Sequence, residues 1–397
     1  MQAPSSFHYG LNCRETHLVV LAARAFICGD NEEFFQADLA LPVDWTTVEH
    51  KSNCHSIMPL VALALKRYGG HWVPAEISQH FQQRFLQNAR SNLVRLQEWL
   101  RIVRTLEAFG IRAISLKGPA LALLAYGDVA LREFADLDLL IQPEDVLRAR
   151  DLLLRESYGL LSSLPSDSDA VLRRSSNRQL DLVHHGQGTL LDLHWGALHA
   201  MFSFQLPSDE LFASAQIQNH KGISFLTLSP EYMLLYLCAH GTKHCWVKLR
   251  WLCDVACHVQ KAQGLDWDLC IRLAEAAGCD LVLKHSLLLA HHVLELELPP
   301  PIATYCEETK ARELAERAMS FLFRRDADPG YGETLQYHMA FATGWRDRAH
   351  LVFERLFVPD EQDWREVRLP QSLQFLYYAV KPLRHMRTRF LAGAATK

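Results

Sequence analysis

The chain has 397 residues, 49% of them hydrophobic and 22% charged, with 41 Lys and Arg against 45 Asp and Glu for a formal net charge of −4. That balance excludes an extensively disordered chain and gives no bulk positive charge that would demand nucleic acid as an obligatory partner. Ten cysteines without a C-x-x-C pair fit a reducing compartment, and no run approaches the roughly 18 apolar residues of a membrane span, so the expected location is cytoplasmic.

In chain order, residues 1 to about 100 have helical spacing. The segments LVVLAARAF and SIMPLVALALKRY come first, followed by a long stretch from Pro74 to Phe109 whose apolar stripe is Leu86, Leu93, Leu96, Trp99 and Leu100. The Leu18 to Ile27 run is short, contains Arg24 and lacks a cleavage site, which argues against a secretion signal. This region carries no evident chemistry and is expected to form one wall of a cleft.

The pattern then changes to short apolar runs. Strands are expected at 111–116, 136–142, 179–184 and 189–195, the last two joined by a turn at His185-Gly186-Gln187-Gly188, with helices at 119–126 and 144–156. Ser162 to Asp169 reads as an exposed loop. Beyond 205 the helical period returns. Ser229 is placed to cap a helix over 230–240, and further helices are expected at 246–262, 267–277, 280–295 and 308–325. The organisation is therefore α+β: a small mixed sheet over 106–200 between a helical region at 1–105 and a helical domain at 201–397.

The stretch LKGPALALLAYGDVALREFADLDLLI holds the chemistry. Side chains alternate along a strand, so Asp136 and Asp138 emerge on one face while Leu137, Leu139 and Ile141 point into the core. Two carboxylates this close repel each other, and a hard divalent cation removes the conflict. Asp192, in LLDLHW, offers a third acid, with His194 on its face. Upstream, Lys117 brings a positive charge, Gly118 permits close approach of a phosphate, and Pro119 suits a first helical position whose free N–H groups favour an anion.

Lys117-Gly118, Arg132, Asp136-Leu137-Asp138 and Asp192-Leu193-His194-Trp195 together resemble the signature of the uncharacterised nucleotidyltransferase family, within the DNA polymerase β-like superfamily. His240-Gly241-Thr242-Lys243-His244, then Leu249-Arg250-Trp251-Leu252 and Asp254, is similar to that family's C-terminal helical segment, and the likeness runs from about residue 45 onward. One departure is that Gly118-Pro119 stands where the superfamily has a Gly-Ser or Gly-Gly turn, so the usual hydroxyl is missing.

The resemblance implies a nucleotidyltransferase using Mg2+ or Mn2+ and a nucleoside triphosphate (NTP) to place a nucleoside monophosphate on a hydroxyl or phosphate acceptor, releasing pyrophosphate. Asp136, Asp138 and Asp192 are the implied metal ligands and catalytic acids. Lys117, Gly118, Arg132 and Lys243 are the implied nucleotide contacts. Paired metals about 3.5 to 4 Å apart would clamp the attacking and leaving oxygens.

Rival readings are a non-catalytic nucleotide-binding protein, in which the altered turn has lost turnover, and a toxin-like enzyme modifying tRNA through the basic end Lys381 to Arg389. His240, His244 and Asp254 mimic a zinc site without an H-E-x-x-H pattern, and Trp195, Trp246 and Trp251 are candidates to stack on a base. Cys253 and Cys257, four apart on a helix, read as small buried hydrophobes.

Overall fold

The computed structural model describes residues 13–29, 32–161, 178–262, 264–324, 328–359, 361–367 and 369–384. The loop expected at Ser162 to Asp169 and the end of the basic segment, from residue 385, lie outside them. The fold is α+β, as the sequence implies: one seven-stranded mixed sheet flanked by helices. None of the described helices is long and apolar enough to cross a membrane.

The strands are β1 (Ala113–Ser115), β2 (Asp136–Ile141), β3 (Tyr158–Leu160), β4 (Gln179–His184), β5 (Leu190–His194), β6 (Gln216–His220) and β7 (Ile223–Thr227), in spatial order β3-β4-β5-β2-β1-β7-β6. At the centre β2 runs parallel to β5 and antiparallel to β1, while β4 and β5 form the hairpin expected from the His185 to Gly188 turn.

Alternation decides which way β2 faces. Leu137, Leu139 and Ile141 join Leu180, Leu182, Leu191 and Leu193 in a core closed by Trp99, Ile102 and Leu106 from the Ala75–Ala108 helix and by Leu152 and Leu153 from the Val146–Arg155 helix. Leu140 faces the other way, into a larger core shared by the N-terminal helices and those beyond residue 230. Each face is thus covered by helices, and the acids at the start of β2 lie on the second face.

Helix ends follow local chemistry. Pro230–Lys243 starts with the Ser229 hydroxyl accepting from the Tyr232 amide at 3.4 Å and with Pro230 in the first turn. Trp267–Ala277 starts on the Asp266 carboxylate, which accepts from the Leu269 amide at 2.9 Å, and it stops at Gly278, whose φ is 70°.

Two expectations are corrected. The region beyond 205 is not wholly helical, because β6 and β7 add a hairpin to the sheet, Ser115 pairing with Thr227. The sheet therefore extends past residue 200. The stripe expected on the long helix holds in its second half, where Trp99 is buried and Leu96 and Leu100 pack against the core, but Leu86 and Leu93 are 45% and 52% exposed and Asn92 is fully buried. Asn92 turns inward because its amide satisfies two carbonyls of the loop leading to β2.

Candidate active site

The loop entering β2 is fixed from two sides. The Asn92 amide donates to the carbonyls of Val129 at 2.7 Å and Arg132 at 2.8 Å. Arg132 itself forms a two-pronged pair with Asp254 on the Leu249–Lys261 helix, Nε to Oδ1 at 2.7 Å and Nη2 to Oδ2 at 2.8 Å, and the Tyr126 hydroxyl donates to the same carboxylate at 2.8 Å. The guanidinium expected at the triphosphate is therefore committed to a buried acid, and it lines neither cavity beside β2. Asp254 is equally withdrawn from any zinc site with His240 and His244.

Gly118 has a φ of +59°, and a Cβ there would come within 3.3 Å of the Asp136 carbonyl oxygen. Glycine is thus required both for the left-handed backbone and for the close approach. The helix expected at 119–126 is one α-turn, Gly118–Leu121, continued by a π-turn, Ala122–Tyr126.

The strand register brings the acids together. Asp138 on β2 pairs with Asp192 on β5, which pairs with Asp181 on β4, so three carboxylates stand in a row on one face. Neighbouring like charges about 5 Å apart repel by about 3 kcal/mol at an effective dielectric of about 20, so the row needs compensation. Part of it comes from Lys117, whose ammonium lies 3.0 Å from Asp138 Oδ1, and from His194, whose Nε2 is 3.2 Å from the same oxygen. Gln179 Nε2 bridges the other two acids, 2.6 Å from Asp181 Oδ1 and 3.0 Å from Asp192 Oδ2.

These contacts drive neighbouring acids apart. Burial pushes the Asp138 carboxyl up, but Lys117 and His194 override it and hold it well below the usual carboxylate range. Among the described residues Asp192 has only Gln179 as a hydrogen-bonding partner, and burial, then Asp138, Asp181 and Asp136, drive its carboxyl well above that range. Burial likewise depresses Lys117, yet Asp138, with Tyr236 and Asp136, keeps it above the ordinary lysine value.

Asp138, Asp192 and His194 each offer one donor atom, all within 4.8 Å of one another, and form the metal-capable cluster among the described residues. The donor set fits a divalent cation, since two carboxylates supply hard oxygen ligands and a positive charge would let Asp192 ionise beside Asp138. The cluster differs from the expected one in a single member. His194 stands in it, and Asp136 lies beside it at the cavity edge. Asp181 was not anticipated either. Both were readable in principle: His194 alternates with Asp192, and a hairpin turning at 185–188 sets Asp181 opposite Asp192.

A cavity of about 190 Å3 opens over the row, with Lys117, Asp138 and Asp192 beneath it, Asp136 also lining it, and Lys243, His240, His244 and His199 around them. Burial, then the nearby Lys117, lowers the Lys243 ammonium, with Asp138 and Asp192 opposing. Burial and the lysines keep the imidazoles neutral, His199 and His244 each near a pKa of about 3. Of the candidate tryptophans, Trp246 is fully buried with its N–H on His285, and Trp251 stacks on His244. Cys253 and Cys257 are buried thiols pushed up by burial.

With two ammoniums, three acids and four imidazoles around one small space, the arrangement can hold a cation and a phosphate together. The family model described as an uncharacterised nucleotidyltransferase matches residues 42–295, well over half of the chain. No curated protein matches.

Proposed function

The chain belongs to the uncharacterised nucleotidyltransferase family and is a transferase of that class, and from that premise we propose that it moves a nucleoside monophosphate from an NTP to a hydroxyl or phosphate acceptor, releasing pyrophosphate. The observation that carries the reading is the cluster of Asp138, Asp192 and His194, with donor atoms within 4.8 Å of one another beside two lysines. Those three residues hold the divalent cation, Mg2+ or Mn2+. When bound, it supplies positive charge to the transferred phosphoryl group and to the departing pyrophosphate.

The protein's own groups do the rest. Lys117 and Lys243 face the same cavity and bind the triphosphate oxygens, and the depressed Lys243 ammonium, which has no ion pair among the described residues, gains most from an anion. Gly118 keeps the backbone close to β2, leaving room for the phosphates above it. Asp136, at the cavity edge, orients the acceptor. Asp192, which the cation would keep ionised, receives the acceptor's proton on a carboxylate oxygen as the new O–P bond forms and the bond to pyrophosphate breaks. Arg132 has no part in nucleotide binding. It is a positioning residue for the β2 loop.

The test incubates the purified protein with each α-labelled NTP, Mg2+ or Mn2+ and a cell extract. The reading expects label on an acceptor with equimolar pyrophosphate, both falling about 100-fold in Asp136→Asn. NTP binding with no pyrophosphate release under any metal and acceptor pool would reject transfer.

A further inference from the structure

A second cavity, of about 480 Å3, lies on the far side of Asp136, which lines both it and the metal-site cavity. Its chemistry differs. Arg84 and Arg95 come from the Ala75–Ala108 helix, Lys248 and Arg250 from the start of the Leu249–Lys261 helix, and the acids facing them are Glu133 and Asp136. Arg84, Asn88, Ser91 and Arg95 follow one another at spacings of four, three and four, so they form a single polar stripe on a long helix, turned into the cleft between that helix and the β2 loop.

The cations are short of partners. Arg84 donates to the Asn53 side-chain oxygen at 2.9 Å, Arg95 reaches the Asn92 oxygen at 3.5 Å, and Arg250 donates to the Glu133 backbone carbonyl at 2.6 Å. These acceptors are neutral. The buried Nε of Arg250 has no hydrogen-bond partner among the described residues. Burial, followed by Arg132, depresses the Arg250 guanidinium, and burial depresses that of Arg95, with Asp136 opposing. Burial also raises the Glu133 carboxyl, with Arg250, Arg84 and Lys248 opposing. Four cations facing two acids, with no ion pair between them among the described residues, suit a doubly charged oxyanion with several acceptor oxygens.

We propose that this cavity is an acceptor subsite that binds a phosphate monoester through Arg84, Arg95, Lys248 and Arg250, presenting the acceptor's nucleophilic oxygen past Asp136 to the acid row. The assignment rests on the transfer reading above. In-line displacement places attacking and leaving oxygens on opposite sides of the phosphorus, so an acceptor must arrive from a side the triphosphate does not occupy. The lysine-lined cavity takes the triphosphate, and the arginine-lined one is on the other flank of Asp136. Its volume is in the range of small-molecule sites.

The experiment is calorimetric titration of the full-length protein with inorganic phosphate and with glycerol 3-phosphate, glycerol serving as the uncharged control. It is run with and without Mg2+ and a non-hydrolysable NTP analogue. Arg84→Gln and Lys248→Gln are the variants, neither side chain being fully buried. We expect both phosphates to bind and glycerol not to, phosphate affinity to fall tenfold or more in each variant, and NTP-analogue affinity to stay within threefold of wild type.

Loss of NTP-analogue binding in the variants would assign the cavity to the triphosphate and overturn the proposal. So would unchanged phosphate binding in both, or none in the wild-type protein. A protein that binds glycerol 3-phosphate through Arg84 but never binds the NTP analogue keeps the anion site and loses the transfer reading, so the two failures are distinct.

Discussion

Replacing Asp138 by Asn should unfold this protein more readily than its position in a candidate active site suggests, and the reason is Lys117. The two side chains are 11% and 2% exposed and their charged atoms are 3.0 Å apart. At that separation and an effective dielectric of about 20, the attraction is about 5 kcal/mol, most of it offset by desolvation of both groups. Removing one partner is different, because it strands the other charge in the interior, which costs about 3 to 5 kcal/mol.

Asp138→Asn leaves the Lys117 ammonium without its carboxylate, and Lys117→Met leaves Asp138 with His194 alone, beside Asp192. Each single variant is expected to lose about 3 kcal/mol in urea melts of the metal-free protein. The double variant should lose no more than either single one, a coupling of about 3 kcal/mol. Additivity within about 0.5 kcal/mol would refute the argument, since that is how independent sites behave. It follows that Asp138→Asn confounds activity with folding, and that Asp136 is the better probe of the chemistry.

Asp136→Asn removes a partly buried carboxylate with no ion pair among the described residues and should change stability by about 1 kcal/mol or less while transfer falls about 100-fold; matched melts and rates check both. Arg132→Met strands the fully buried Asp254 and should cost about 3 to 5 kcal/mol, while the NTP affinity of the folded fraction stays that of wild type; a selective loss of NTP binding would restore Arg132 to the site. Acid should destabilise the fold through buried histidines. His285 Nε2 accepts the Trp246 N–H at 3.1 Å, and burial lowers its pKa to about 4, with His338 and His55 also lowered to about 4. The unfolded chain takes up these protons from about pH 6.5 and the folded one only near 4, so this stability is intact above 6.5 and is lost as pH falls toward 4. Between pH 6.5 and 5 the loss is about 2 kcal/mol for His285, and His285→Gln should flatten the fall in urea midpoints measured at pH 7 and pH 5.

Where the sequence was legible, one physical signal dominated locally. Trp267–Ala277 carries its own cap and stop and matches the expected bounds, and β4 coincides with the predicted 179–184 strand. Alternation put Asp136 with Asp138 on one face of β2 and Asp192 with His194 on one face of β5, while the pairing of the two strands lay beyond it. What stayed hidden was long-range or unpatterned. β6 is polar on both faces, so no alternation marks it, although the Lys221-Gly222 turn, with φ of 48° and 82°, is a hairpin turn in two residues. Arg132 finds Asp254 across 122 positions. Arg84 and Arg250 meet at one cavity from distant segments, and no spacing rule links them.

The central claim is that Asp138, Asp192 and His194 hold a divalent cation, and titration of Mn2+ followed by electron paramagnetic resonance tests it most directly. Asp192→Asn and His194→Ala are the informative variants, because the first replaces a carboxyl already driven toward its neutral form and relieves Asp138, so the fold is retained. The account predicts Mn2+ binding to the wild-type protein, strengthened by a non-hydrolysable NTP analogue and weakened tenfold or more in each variant. Equal Mn2+ affinity in the wild type and both variants would contradict it.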